Sequence, residues 1–116
     1  MKKIKSVSRP KERAEIWVTK EVYGETPEKY HFVLANGEKL KDLKDLMHAL
    51  EKIPEDVFRH HVNDMRNDFS SWVKDVFRDD FLANELKKFN NKLETELALH
   101  KYINNKMEKI IKKLAK

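Results

Sequence analysis

From Leu40 onward, apolar residues recur at intervals of three and four. Leu43, Leu46, Met47, Leu50 and Ile53 predict an amphipathic helix with one buried stripe. Pro54 ends that series and can open the next helix, since proline suits a first helical turn. Glu55 and Asp56 fall in the same turn, where negative charge complements the helix dipole. Val57, Phe58, His61 and Val62 make the inner face of this second, short helix. The polar run NDMRND interrupts it, and Phe69, Trp72, Val73, Val76 and Phe77 then give a third helical stripe. RDD at Arg78 to Asp80 is the next break, with Asp79 or Asp80 as the cap of a last, long helix.

Along that last helix Leu86, Phe89, Leu93, His100, Ile103, Met107, Ile110 and Leu114 alternate as heptad a and d positions, with Glu96 a misfit at d. A dimeric coiled coil and packing against the chain's own domain both satisfy this spacing. The second is preferred. Leu97 and Ile111 at e widen the stripe toward the width of a bundle helix, and Lys106 and Lys113 at g meet only Asn104 and Ile111 at e, so no ion-pair code selects a partner. Asn90-Asn91 and Asn104-Asn105 are poor helix interiors and mark bends or ends.

Upstream the period shortens to two. Tyr30, Phe32 and Leu34 alternate against His31, Val33 and Ala35 and predict a strand. Asn36-Gly37, a dipeptide favoured where both turn residues need positive φ, then sets a hairpin or a strand-to-helix turn. Ile16, Val18 and Val22 fit either a strand or a short helix, with a turn at Gly24 to Pro27. The expected fold is mainly α: a small single-domain helical bundle with an N-terminal strand or β-hairpin, four helices, and a long C-terminal helix. Residues 1–13 read as a flexible basic arm, 14–100 as one helical domain, and 101–116 as the basic end of the last helix.

Composition narrows the chemistry. A chain of 116 residues holds one core, and two glycines with three prolines leave few turn signals, which favours helices over a sandwich or barrel. The absence of cysteine excludes disulfides, thiolate metal sites and cysteine nucleophiles, and fits a cytoplasmic chain. No apolar region follows the positive charge of Met1 to Pro10, so it does not read as a signal peptide. No apolar run approaches the roughly 20 residues of a membrane span. The net charge of +5 is uneven: residues 1–13 and 101–116 each carry +5, and 14–100 carry −5. Basicity therefore belongs to the two ends and not to a folded face.

His61, Asp64 and Asp68 are the densest candidate cluster and could converge on a divalent ion. The spacing argues otherwise. A helical zinc motif needs histidines at i and i+4 or His-Glu-x-x-His, and neither is present. His61 continues the apolar face of Val57, Phe58 and Val62, so a structural hydrogen-bond pair between His61 and Asp68 is preferred, with Asn67 or Asp68 capping the Phe69–Phe77 helix. Phe58, Phe69 and Trp72 read as core aromatics and not as a stacking platform. The acidic pairs Glu55/Asp56 and Asp79/Asp80 sit at helix starts, where capping explains them. Ser70 and Ser71 lie within a helix and lack a nucleophile elbow, and the chain has no phosphate loop or dinucleotide fingerprint. No catalytic residue, metal or cofactor is expected, and no small-molecule substrate. Lys2, Lys3, Lys5, Arg9, Lys109, Lys112 and Lys113 could neutralise phosphates without sequence preference. They lack interleaved aromatics, and Asp64, Asp68 and Asp75 would repel DNA from a helix-turn-helix docking.

The segment FRHHVNDMRNDFSSWVKDVFRDDFLA, Phe58 to Ala83, resembles a prokaryotic family, the domain of unknown function 5752. The matching positions are Phe58, His61, Asp68, Phe69, Trp72, Val73, Asp79 or Asp80, Leu82 and Ala83. Phe32, Leu43, Leu46 and Leu50 upstream resemble that family's aromatic pair and leucine-spaced helix. The resemblance covers roughly residues 30–86 and departs from the pattern in a longer spacing between His61 and Asp68. It implies no activity. The expected function is a non-catalytic interaction module that binds a protein partner or its own copy through the last helix. A nucleic-acid accessory role through the basic ends is the alternative, and metal binding at His61/Asp68 is the remote one.

Overall fold

Six apolar stripes at helical spacing close on one shared core in the computed structural model, which describes residues 15, 16 and 18–115. The arm expected over residues 1–13, with Lys2, Lys3, Lys5 and Arg9, lies outside the described residues. A widened, π-type helical segment comes first (α1, Val18–Tyr23), followed by a 3-10 turn at Glu28–Tyr30. Of the strand and helix left open for this segment, the helix forms.

A hairpin follows, β1 (Phe32–Val33) pairing antiparallel with β2 (Lys39–Leu40). Its turn is closed by the Leu34 carbonyl accepting from Gly37 N–H at 2.8 Å. Gly37 has φ 93° and no other described residue of the turn has positive φ, so Asn36-Gly37 does not form the turn with two positive φ angles that the dipeptide suggests.

Helix α2 (Leu43–Lys52) starts at Asp42, whose carboxylate accepts from Asp45 N–H, and ends before Pro54. Helix α3 (Glu55–His61) begins after that proline. NDMRND is more than an interruption. It folds as a tight hairpin, β3 (Val62–Asn63) with β4 (Arg66–Asn67), in which Asn63 Oδ1 accepts from Met65 N–H. Helix α4 (Asp68–Trp72) runs on into a π turn at Val73–Phe77, stopped by Arg78 in the left-handed conformation at φ 57°. Asp79 caps α5 (Asp80–Lys87), accepting from Leu82 N–H.

The expected long C-terminal helix forms, but not from about Asp80, where the separate short helix α5 stands instead. After α5 the chain turns, and Asn91 caps a new helix, α6 (Lys92–Leu114), by accepting from Glu94 N–H. The asparagine pair at 90–91 is thus an end and a start. The break resets the phase of the stripe. On α6 the buried residues are Thr95, Leu99, Ile103 and Ile110, while Leu93, Leu97 and Ile111 face outward. The helix packs on α1, α2 and α5 and so belongs to the same core.

Gly24 shows how tightly the α1 end is held. At φ 79°, a Cβ on it would stand 2.5 Å from Phe77 Cε1. Any larger residue there must displace the Phe77 ring as well as adopt a disfavoured backbone.

Candidate functional site

His61 and Asp68 meet. The helix of His61 and the start of α4 are joined by the β3–β4 hairpin, which folds the seven-residue spacing back on itself. His61 Nδ1 lies 3.0 Å from Asp68 Oδ2, and on the opposite side of the ring Nε2 accepts from Ala35 N–H at 2.9 Å. A backbone amide can only donate, so Nε2 is the unprotonated nitrogen and Nδ1–H donates to the carboxylate. The imidazole is a two-sided connector, holding the β1–β2 turn to the α3–α4 pair. Asp68 also stands 3.6 Å from Arg66 Nε, and Arg66 donates to the His60 carbonyl. Capping of α4 falls to Asn67, whose Oδ1 accepts from Ser70 N–H and whose Nδ2 donates to the Leu86 carbonyl.

An Asp–His pair can orient a general base, but a base needs its second nitrogen free to receive a proton. Here that nitrogen is occupied by main chain, and the ring is 4% exposed. The pair is built to hold. Nor do His61, Asp64 and Asp68 gather as ligands. Among the described residues, the one group with metal-competent atoms close together is Glu51, Glu96 and His100.

Rings surround the connector. Phe32 lies 5.0 Å from His61, 5.2 Å from Phe69 and 5.5 Å from Trp72, centroid to centroid, and Phe58 packs on Phe69. Phe58 and Phe69 are fully buried and Trp72 nearly so. Trp72 Nε1 donates to the Tyr30 carbonyl at 2.8 Å, and Ser70 Oγ donates to the Ala83 carbonyl at 2.7 Å. The side-chain polar atoms of His61, Ser70 and Trp72 each have a partner, which is how an aromatic core avoids a desolvation penalty.

A second pair is built around Asp79. One of its oxygens caps α5 and the other accepts from the Tyr102 hydroxyl, tying α5 to α6. Burial, and then the bond to Asp79 and its charge, push Tyr102 far above the ordinary phenol range. Lys106 lies over the Tyr102 ring at 5.5 Å. Asp79, Phe81, Tyr102, Asn105, Lys106 and Lys109 line a shallow surface cavity of about 360 Å³. Tyr23 on α1 is also raised, by burial and then by the charge of Asp42.

The outer side of α6 is different in kind. Leu93 is 65% exposed, Leu97 59% and Ile111 63%, with Phe81 on α5 at 65%. At 100° per residue, Leu93, Leu97, Asn104 and Ile111 fall within roughly 40° of one another on the side of α6 away from Leu99 and Ile103. Lys101, Glu108 and Glu94 flank that line. Lys109, Lys112 and Lys113 are exposed toward the end of the helix. The sequence pattern assigned Leu93, Leu97 and Ile111 to the buried stripe and passed over Leu99 and Thr95. One heptad frame carried through residues 86–114 cannot foresee a phase reset at Asn91.

A family model described as a family of unknown function (DUF5752) matches residues 26–115. The match therefore runs well beyond the segment that carries the resemblance, through the end of α6. No curated protein and no solved structure matches the chain.

Proposed function

The chain belongs to the DUF5752 family of unknown function, and we propose that it acts there as a non-catalytic interaction module that pairs with a second copy through the outer face of α6. The observation that carries this reading is the line of exposed Leu93, Leu97 and Ile111 on a helix whose opposite side is already buried. Monomeric surfaces scatter single apolar residues, but a line of them along one helix suits a helical partner.

The pattern is self-complementary. With two α6 helices antiparallel and centred on Asn104, Leu97 of each copy faces Ile111 of the other, and the two Asn104 amides meet. Lys101 then lies against Glu108 of the other copy, twice by symmetry, and the acidic first turns around Glu94 approach the lysine-rich last turns. At 1.5 Å per residue the line spans roughly 27 Å, which places the pairing among small, transient interfaces. The capped Nε2 of His61 supports the non-catalytic part of the reading.

The test is light scattering over a concentration series. The wild type should shift toward dimer as concentration rises, Leu97→Glu should remain monomeric throughout, and Lys101→Glu should weaken pairing that Glu108→Lys in the same chain restores. A wild type that stays monomeric at its highest soluble concentration sinks the reading, as does a dimer that survives both Leu97→Glu and Ile111→Glu.

A nucleic-acid accessory role is the second reading, favoured by Lys109, Lys112 and Lys113 at the end of α6. It requires retention of duplex or single strand that collapses with added salt, since lysine–phosphate contacts release counterions.

A further inference from the structure

We propose that Glu51 of α2 with Glu96 and His100 of α6 binds one divalent transition-metal ion that staples the two helices together. The ligand atoms of the three side chains all lie within 4.8 Å of one another. Around a bound Zn²⁺ such atoms stand roughly 3 to 3.5 Å apart, given metal–ligand bonds of about 2.0–2.2 Å, so small side-chain rotations close the set.

Glu96 and His100 are one helical turn apart and therefore share a face, and α2 brings Glu51 to it from 45 positions earlier in the chain. His100 Nε2 lies 3.6 Å from Glu51 Oε2. That contact alone reads as an ion pair between protein groups. It leaves Glu96 unexplained: half-buried, it has no hydrogen bond or ion pair with any described residue, yet its carboxylate is directed at that of Glu51. Two carboxylates with oxygens within 4.8 Å of each other repel, and a cation between them relieves that repulsion. Lys92, the nearest lysine in sequence, donates instead to the Ile53 carbonyl.

The donor set decides the class of ion. Carboxylates alone would accept Mg²⁺, Ca²⁺ or Mn²⁺, whereas an imidazole nitrogen favours Zn²⁺, Ni²⁺ and their neighbours. Three protein ligands leave a position for water, and partial exposure gives the ion a way in. Because the ligands come from two helices, the ion binds the folded chain far better than the unfolded one, so it stabilises the fold by mass action. All three ligands come from one chain, so the site does not require pairing between copies.

The experiment is calorimetric titration of the full chain with ZnCl₂ and NiCl₂ after chelator treatment, with a thermal melt at each end point. One ion per chain and a raised Tm are expected, with no such response to Mg²⁺ or Ca²⁺. His100→Ala and the isosteric Glu96→Gln should each lower affinity by at least about tenfold, the lower end of what even indirect ligand support is worth, and abolish the rise in Tm. In the Ile111→Glu chain, altered on the outer line eleven residues from His100, the same one ion should bind with the same affinity. The proposal is overturned if the wild type shows no binding, or if Glu96→Gln and His100→Ala bind as the wild type does, which would mean adventitious capture by surface histidines. It is equally overturned if binding vanishes in Ile111→Glu, which would put the ion between copies.

Discussion

The aromatic hub around Phe32 and the outer face of α6 treat the same residue types in opposite ways. In the hub, polar groups are taken in and matched atom for atom: His61 with Asp68 and Ala35, Trp72 with Tyr30, Ser70 with Ala83. On α6, apolar groups are turned out and matched by nothing in the described chain. A histidine and an aspartate at the centre of the molecule look like chemistry and serve as joinery. Three aliphatic residues on a surface look like ordinary helix and are the better place to seek a partner. What distinguishes the two regions is whether a group's interactions are already satisfied.

That contrast can be broken most forcefully at Phe69. Phe69→Ala should cost about 3–5 kcal/mol in denaturant unfolding, because the hub cannot collapse around a lost ring held by Phe32, Phe58 and His61. A cost below about 1 kcal/mol would mean that the hub is loosely packed. Asp68→Ala comes next, at about 1–2 kcal/mol, since it leaves a buried Nδ1–H without an acceptor; the half-buried carboxylate keeps the loss toward the low end. Asp68→Asn should recover part of it, because an amide oxygen still accepts.

Tyr102 sharpens the comparison through pH. Its folded pKa is raised, so the stability it contributes is complete below the unfolded phenol value of about 10 and is lost as pH climbs from there toward the folded value. Melting above pH 10 should fall more steeply in the wild type than in Tyr102→Phe, and Tyr102 should be the last phenol to ionise in ultraviolet titration. The smallest effect belongs to Leu97→Glu, which should leave unfolding free energy within about 0.5 kcal/mol while removing self-association. A large destabilisation there would place Leu97 in the core and dissolve the distinction between the two regions.

Legibility in the sequence follows the same line. Stripes that bury locally were readable: Leu43, Leu46 and Leu50 on α2, or Phe69 and Trp72 on α4 with Val73 in the π turn after it, because a helix repeats its own pattern. The Asp79 cap was readable from its place beside a break. The β3–β4 hairpin was not, since strands of two residues hold no period and the turn rests on Asn63 and Arg66 side chains reaching backbone. The division at Asn91 was marked by composition, yet its effect on Leu93, Leu97 and Leu99 depends on the angle at which α6 lands on α2 and α5. Glu51, Glu96 and His100 carried one faint local sign, a carboxylate and an imidazole at i and i+4. A heptad frame absorbed it, counting Glu96 as a misfit and His100 as a seam residue, and nothing local points from them to Glu51.

The bond from Ala35 to His61 sets what substitution each position can tolerate. Ala35 takes part only through its amide, and its side chain points to solvent. Variation at position 35 is therefore invisible to the imidazole for nineteen of the twenty residues and decisive for one: proline alone deletes the donor. At position 61 the asymmetry inverts. The ring must accept on one edge and donate on the other across a fixed width, so almost any exchange disconnects the hairpin from the helices. Two partners in a single hydrogen bond thus carry opposite degrees of freedom, one nearly silent to mutation and the other nearly intolerant of it.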